Sequence, residues 1–228
     1  MKVITIIQAR TTSSRLPNKA LLDIFGKSLL ERVIDQAKSI RLTDEVWVAT
    51  SQHENDDLIE ILCDRVNVNC YRGSLDDVRS RFFHLAEERN GDLIVRITAD
   101  NPLTEPEYAD QLILFLKENR HYDYARIAKD KVIDGSNSEV FTKIALEKSI
   151  NRYSDPKNME HVTPAMIEDM NLIELTPDNK DLITKKAYFA GVDTFEDLLH
   201  LTKIYKRLGE TKTLNKLIQL LNEHKKTV

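Results

Sequence analysis

Short apolar runs alternate with amphipathic stretches along nearly the whole chain. Runs at residues 3–7, 45–49, 67–71, 93–98, 121–126, 171–175 and 187–192 read as strands. In the first, Val3, Ile4, Ile6 and Ile7 are almost continuous, as in a central parallel strand covered on both faces. Helical spacing marks 29–38, 56–65, 78–89, 106–118, 143–151, 160–170, 195–208 and 214–224; within 56–65 the repeat is Leu58, Ile61, Leu62 and Arg65. Strands separated by helices predict an α/β fold, a mainly parallel sheet flanked by helices with right-handed crossovers. The polar, turn-rich stretch KDKVIDGSNS at 129–138 reads as an excursion. We therefore expect one domain, 1–228, with an insertion-like arm at about 128–175.

Helix starts carry their own chemistry. Ser28 and Glu31 have capping-box spacing, as do Thr194 and Asp197. Thr104 is expected to cap the helix that Glu105 and Pro106 open. Gly26-Lys27-Ser28 looks like the end of a P-loop, but that motif needs glycine at position 21, which is Leu21. A GxGxxG dinucleotide fingerprint is also absent from the sequence.

Composition narrows the picture. The 228 residues carry a net charge of −4, which argues against general nucleic-acid binding. Cys63 and Cys70 lack metal-site spacing and read as free thiols. No apolar run approaches the ~18 residues of a membrane span, and the sequence opens directly on a strand, so a cytoplasmic protein without membrane contact is expected.

Ligands of parallel sheets sit beyond the carboxyl ends of the strands. There the first strand delivers Arg10, Arg15 and Lys19 among small hydroxyl residues. Arginine presents a planar fork and lysine a point charge to phosphate oxygens. Next come Thr50 and Ser51, placed either to cap the helix near residue 56 or to hydrogen-bond a base. Then Arg72, Arg79 and Arg81 crowd one turn, where a nucleotide would explain them, while Asp76 and Asp77 suit a helix N-terminus. Asp100 closes another strand and has the chemistry of a Mg²⁺ ligand. Asp193 closes the strand at 187–192 and offers a second carboxylate.

Together these segments resemble the cytidylyltransferases that activate acidic sugars, the acylneuraminate and 3-deoxy-manno-octulosonate enzymes, and most of all the spore-coat-polysaccharide branch. The likeness runs through IIQARTTSSRLPNK (6–19), GKSLLERV (26–33), DEVWVATS (44–51), YRGSLDDVRSR (71–81), VRITADNPL (95–103), DGSNSEVFT (134–142), EHVTP (160–164) and VDTFEDL (192–198). It implies a single-domain, GT-A or Rossmann-like nucleotidyltransferase fold, usually dimeric. The implied reaction is CTP plus an acidic sugar giving a CMP-sugar and pyrophosphate for surface polysaccharide. By resemblance, Arg10, Ser13, Arg15 and Lys19 hold the triphosphate, with Ala9, Thr98 and Ala99 beside the nucleotide. Ala49, Thr50, Ser51 and Arg72 line the base pocket, and Asp77 and Arg81 support its wall. Asp100 and Asp193 bind Mg²⁺, with Arg10, Lys19 and Asp100 catalytic. Asn101, Glu139, Glu160 and His161 face the acceptor or a dimer partner. The chain departs from the pattern at Thr11 and Thr12, where glycines are usual, at Ala99, often glycine, and at Asn158, near a usual arginine. Two further enzyme readings stay open, a nucleotidyltransferase acting on a sugar phosphate and a glycosyltransferase. The latter is disfavoured by Asp100-Asn101-Pro102 in place of Asp-x-Asp. A non-catalytic nucleotide-sugar-binding protein is the remaining alternative.

Overall fold

The structure, a computed structural model, describes residues 1–179, 189–209 and 216–218. Its seven strands are β1 (Val3–Gln8), β2 (Glu45–Ser51), β3 (Asn69–Gly73), β4 (Leu93–Thr98), β5 (Tyr124–Ile127), β6 (Glu139–Thr142) and β7 (Leu172–Leu175). They form one sheet in the order β3-β2-β1-β4-β6-β5-β7. Pairing is parallel except at β6, which runs antiparallel to both β4 and β5. The α/β expectation is met, with one antiparallel strand added. Gln8 lies opposite both Ala49 and Thr98, so β1 and β4 end level while β2 runs on to Ser51 beside β3.

Burial follows from the pleat. Val3 and Ile7 join the core on one face, with Leu30, Val95 and Leu112. Ile4 and Ile6 join the other, with Phe82, Phe141 and Met166. Both sides of the strand are thus covered, with Thr5 the buried polar exception, its hydroxyl donating to Thr43 Oγ1 at 2.8 Å.

The helices are α1 (Leu29–Lys38), α2 (Asp57–Arg65), α3 (Val78–Glu88), α4 (Pro106–Glu118), α5 (Lys143–Arg152), α6 (Pro156–His161), α7 (Pro164–Asp169) and α8 (Phe195–Leu208). Both expected capping boxes form, Ser28 with Glu31 and Thr194 with Asp197. The P-loop lookalike is instead a turn, with Phe25 and Gly26 at positive φ and Ser28 capping α1.

Four expectations are corrected. On α2 the buried stripe is Ile59, Leu62 and Cys63, while Leu58 and Ile61 are exposed; the helix presents the neighbouring seam to the sheet, and Arg65 pairs outward with Glu31 at 3.2 Å. At α4 the N-cap is Glu105, and Thr104 instead donates to the Asn101 carbonyl at 2.9 Å. The expected helix 160–170 is broken into α6 and α7. Val162 adopts φ 65, and Pro164 has no N–H to continue the ladder. Finally, β6 falls where no strand is predicted, because four residues between a polar run and a helix give too short a pattern. Val140 and Phe141 are nevertheless fully buried on opposite faces. The polar run before β6 folds against the sheet through Val132 and Ile133.

Of the strand expected at 187–192, only 189–192 lies within the described residues, where Phe189 bridges to Asp134. The helix expected at 214–224 lies outside them except for 216–218, which are helical. Cys63 and Cys70 are free thiols. Among the described residues, no helix is long and apolar enough to cross a membrane.

Candidate active site

The loop after β1 is fixed from beneath by a residue that the sequence does not announce. Asp56, fully buried, accepts from Thr11 N at 2.8 Å and Thr11 Oγ1 at 2.7 Å through one oxygen. Its other oxygen accepts from Ser51 N at 3.2 Å and Ser51 Oγ at 2.5 Å. Burial pushes this carboxyl up, but the hydrogen bonds from Ser51 and Thr11 outweigh it and hold it below the usual range. Thr11, standing where the resemblance leads one to expect glycine, is therefore an anchor. Ser51 does not cap the following helix; it donates to the carboxylate that opens it. The only sequence signal for this was an acid shortly after Thr50-Ser51.

Above this anchor the loop places its cations. Asn18 turns the chain with φ 58, and Lys19 opens a single 3-10 turn, Lys19–Leu21. Lys19 Nζ donates to Asp100 Oδ2 at 2.9 Å, to the Val192 carbonyl at 2.8 Å and to Asp193 Oδ1 at 3.1 Å. Arg15 pairs with the other Asp193 oxygen at 2.9 Å. Arg10 reaches Glu160 at 2.8 Å, tying the loop to α6.

Asp100 lies just beyond β4, in a turn held by the Asn101 side-chain amide donating to Thr98 Oγ1 at 2.8 Å. Asp193 comes from far along the chain. Its segment is attached when Val192 N donates to the Asp100 carbonyl and Ala190 N to the Asp134 carbonyl. The two segments approach closely enough to require glycine. A Cβ on Gly135, whose φ is +88, would lie 2.8 Å from Gly191 N, and one on Gly191 would lie 2.8 Å from Asn101 Oδ1.

A cavity of about 260 Å³ results. It is lined by Arg10, Ser13, Arg15 and Lys19 from the first loop, Thr98 at the end of β4 with Ala99 and Asp100 just beyond it, Asp193, and Glu160 and His161 from α6. Sharing Arg96 and Thr98 with it is a smaller cavity of about 120 Å³, lined by Asn101, Arg126, Lys129, Asn137, Ser138 and Glu139. Glu139 accepts from Arg96 Nη1 at 2.5 Å and from the Tyr124 hydroxyl. Burial would raise its pKa, but the Arg96 charge and the Tyr124 bond keep it below the ordinary range. Burial, with Glu139 opposite, pushes the Tyr124 phenol well up.

The residues expected to line the base pocket lie in β2, in β3 and at the start of α3. Ala49, Thr50 and Ser51 are buried in β2, and Ala9 is buried with its N–H on the Ala49 carbonyl. None of Ala49, Thr50, Ser51, Arg72, Asp77 or Arg81 lines either cavity. The arginines at 72–81 also make contacts within the protein, while among the described residues Arg79 Nε and Arg81 Nη1 are buried without a hydrogen-bond partner. Arg72 pairs with Asp57 at 2.6 Å and Glu60 at 2.9 Å and donates to the Ser51 and His53 carbonyls. Arg79 holds the Ser149 and Tyr153 carbonyls at the end of α5. Arg81 donates to the Ser74 and Leu75 carbonyls, and Asp77 caps α3 through Ser80 N.

The paired acids suit a hard cation. Asp100 and Asp193 reach the same ammonium nitrogen, so their oxygens converge on one point. Among the described residues, no group of three or more His, Cys, Asp or Glu side chains is arranged to hold a metal. Two carboxylates completed by phosphate oxygens and water fit Mg²⁺ rather than a closed protein cage.

Basic residues at the carboxyl edge of a parallel sheet, ion-paired with two acids beside a small polar cavity, suit a nucleotide's phosphates. A cytidylyltransferase family profile matches residues 4–226. The chain is 39% identical to an uncharacterized protein of Methanocaldococcus jannaschii over 86% of its own length and 80% of that protein's. It is 27% identical to the spore coat polysaccharide biosynthesis protein SpsF of Bacillus subtilis, over 97% of its own length and 95% of that protein's. Its fold is similar to that of a cytidylyltransferase from Leptospira borgpetersenii, with TM-score 0.90, 27% identity and coverage of 99% and 96% of the two chains. The chain belongs to the cytidylyltransferase family.

Proposed function

We propose that this protein transfers CMP from CTP to a hydroxyl of an acidic sugar or a related small anionic acceptor, with Mg²⁺ as cofactor and pyrophosphate as the second product. The observation that carries the reading is the convergence of Arg10, Arg15 and Lys19 with Asp100 and Asp193 around one cavity that shares Arg96 and Thr98 with a second. In this reading the first loop binds the triphosphate, its backbone held still by Asp56. The acceptor hydroxyl attacks the α-phosphorus in line, and Arg10 and Lys19 neutralise charge on the departing pyrophosphate. Asp100 and Asp193 would hold Mg²⁺, which supplies charge neutralisation on phosphate oxygens when bound. The smaller cavity suits the acceptor, with Arg126 and Lys129 facing its anionic group and Asn137 its hydroxyls. Glu174 pairs with Arg126 at 2.6 Å and keeps that guanidinium in place. The same reading includes a homodimer formed through the arm at 128–175, which light scattering in solution tests.

The test of the reaction is pyrophosphate release with CTP over a panel of acidic sugars, neutral sugars and sugar phosphates. Turnover with an acidic sugar, dependent on Mg²⁺, is expected. Turnover confined to sugar phosphates would move the protein to the neighbouring class. Thermal shifts with CTP, UTP, GTP and ATP test the base, since a bound ligand stabilises by mass action. No preference for CTP would overturn that part.

A further inference from the structure

We infer that Lys19 is a resident stand-in for the metal, so that the acid pair accepts a divalent cation only after a nucleotide has drawn the lysine away. The inference rests on the reading of Asp100 and Asp193 as metal ligands.

An ammonium has three protons to donate, and Lys19 spends all three on the Asp100 carboxylate, the Val192 carbonyl and the Asp193 carboxylate, at 2.8–3.1 Å. These oxygens are the ones a hard cation would use. The side chain is 15% exposed, and the acids are 31% and 27% exposed. The positive charge is therefore set between the acids rather than extended into solvent. Arg15 neutralises the remaining Asp193 oxygen. A divalent ion arriving alone must displace an ammonium from its own ligand atoms, and that ammonium then gives up three bonds.

A triphosphate changes the balance. It brings anionic oxygens to the loop that carries Arg10, Ser13 and Arg15, and so gives Lys19 new acceptors within the same cavity. The exchange needs only side-chain rotation. The lysine backbone stays pinned by its own N–H on the Leu16 carbonyl and by Leu21 N on Asn18. Nucleotide and metal then favour each other, and by linkage the coupling is reciprocal.

Mn²⁺ binding, followed by the electron paramagnetic resonance signal of the free ion, tests this without turnover. Wild-type protein without nucleotide is expected to bind Mn²⁺ weakly. Lys19→Met, which removes the competing charge, is expected to bind it about tenfold more tightly, within the usual size of such couplings. Lys19→Gln gives the same comparison should the Met variant fold poorly, and adding Asp100→Asn to either is expected to abolish the gain. Equal nucleotide-free affinity in wild type and both Lys19 variants, with CTP-dependent binding still lost on Asp100→Asn, would overturn the inference alone. Mn²⁺ binding indifferent to Asp100→Asn with or without CTP would overturn the metal reading beneath it.

Discussion

Asp56 shows how much one buried acid can organise. It takes four donations, two from the loop after β1 and two from the end of β2, and removing it leaves Thr11 and Ser51 donors buried without partners. Each such orphan costs about 1–3 kcal/mol. Asp56→Ala is therefore expected to lower stability by several kcal/mol, measured by urea denaturation, whereas Asp56→Asn keeps the shape and loses less. A surviving Asn variant is expected to show a raised KM for CTP, because the loop that bears Arg10 and Lys19 is no longer held. Asp100→Ala is expected to behave differently. It should fold normally and lose roughly 100-fold or more in turnover, the scale for removing one group that stabilises charge. Near-normal pyrophosphate release from it would sink the catalytic assignment. The contrast tracks what a sequence can reveal. Arg10, Asp100 and Asp193 are legible because a charged residue just past an apolar run is a local pattern, and Lys19 because it lies in the same basic loop as Arg10 and Arg15. Asp56 is not, since its meaning depends on Thr11, which is distant in sequence. For Arg72 and Arg81 the sequence displays the charge but not the carbonyls and acids that they also contact.

At the level of elements, long amphipathic segments such as α1, α4 and α8 are legible to the residue, and their caps with few exceptions. What escapes is anything set by two-sided burial over a short run, as in β6, or by a single residue at positive φ, as at Val162. The seam where β1, β2 and α3 meet carries a testable charge cluster. Glu45, at the start of β2, is held at a pKa of about 2, against an ordinary 4.5. The hydrogen bond from Arg89 at the end of α3 is the largest cause. Burial opposes it, and Lys2 and the Trp47 indole add to it. A depressed folded pKa means that the stabilisation is fully present above about pH 4.5 and fades as the pH falls toward 2. The stability difference between wild type and Glu45→Gln is expected to shrink over that interval, and a constant difference would contradict the assignment. The close approach of 135 to 191 gives another test. Gly135→Ala must take a strained φ and push on backbone, so a cost of about 1–3 kcal/mol is expected, together with reduced turnover as Asp193 shifts from Asp100.

Seen whole, the molecule is a sheet whose neighbouring carboxyl ends carry the candidate site and whose strands β5 and β6 help to wall the second cavity through Arg126 and Glu139. The alternation of strands and helices predicts this plan, but not that β6 reverses direction to bring Glu139 beside Arg96. If the cavity at the sheet edge takes the nucleotide, CTP at one hundred times its dissociation constant is expected to add about 2.7 kcal/mol to global stability. Differential scanning fluorimetry reads this as a rise in Tm, and no rise with CTP and Mg²⁺ together would count against the site.

The attachment of residues 190–193 to the turns at Asp100 and Asp134 makes the acid pair a product of folding rather than of nearness in sequence. Asp193 reaches Asp100 only by packing back against these turns, where Lys19 bridges the two carboxylates. A local opening of that attachment would part the acids while the sheet beneath stayed whole, so the pair is expected to come apart at a lower denaturant concentration than the fold.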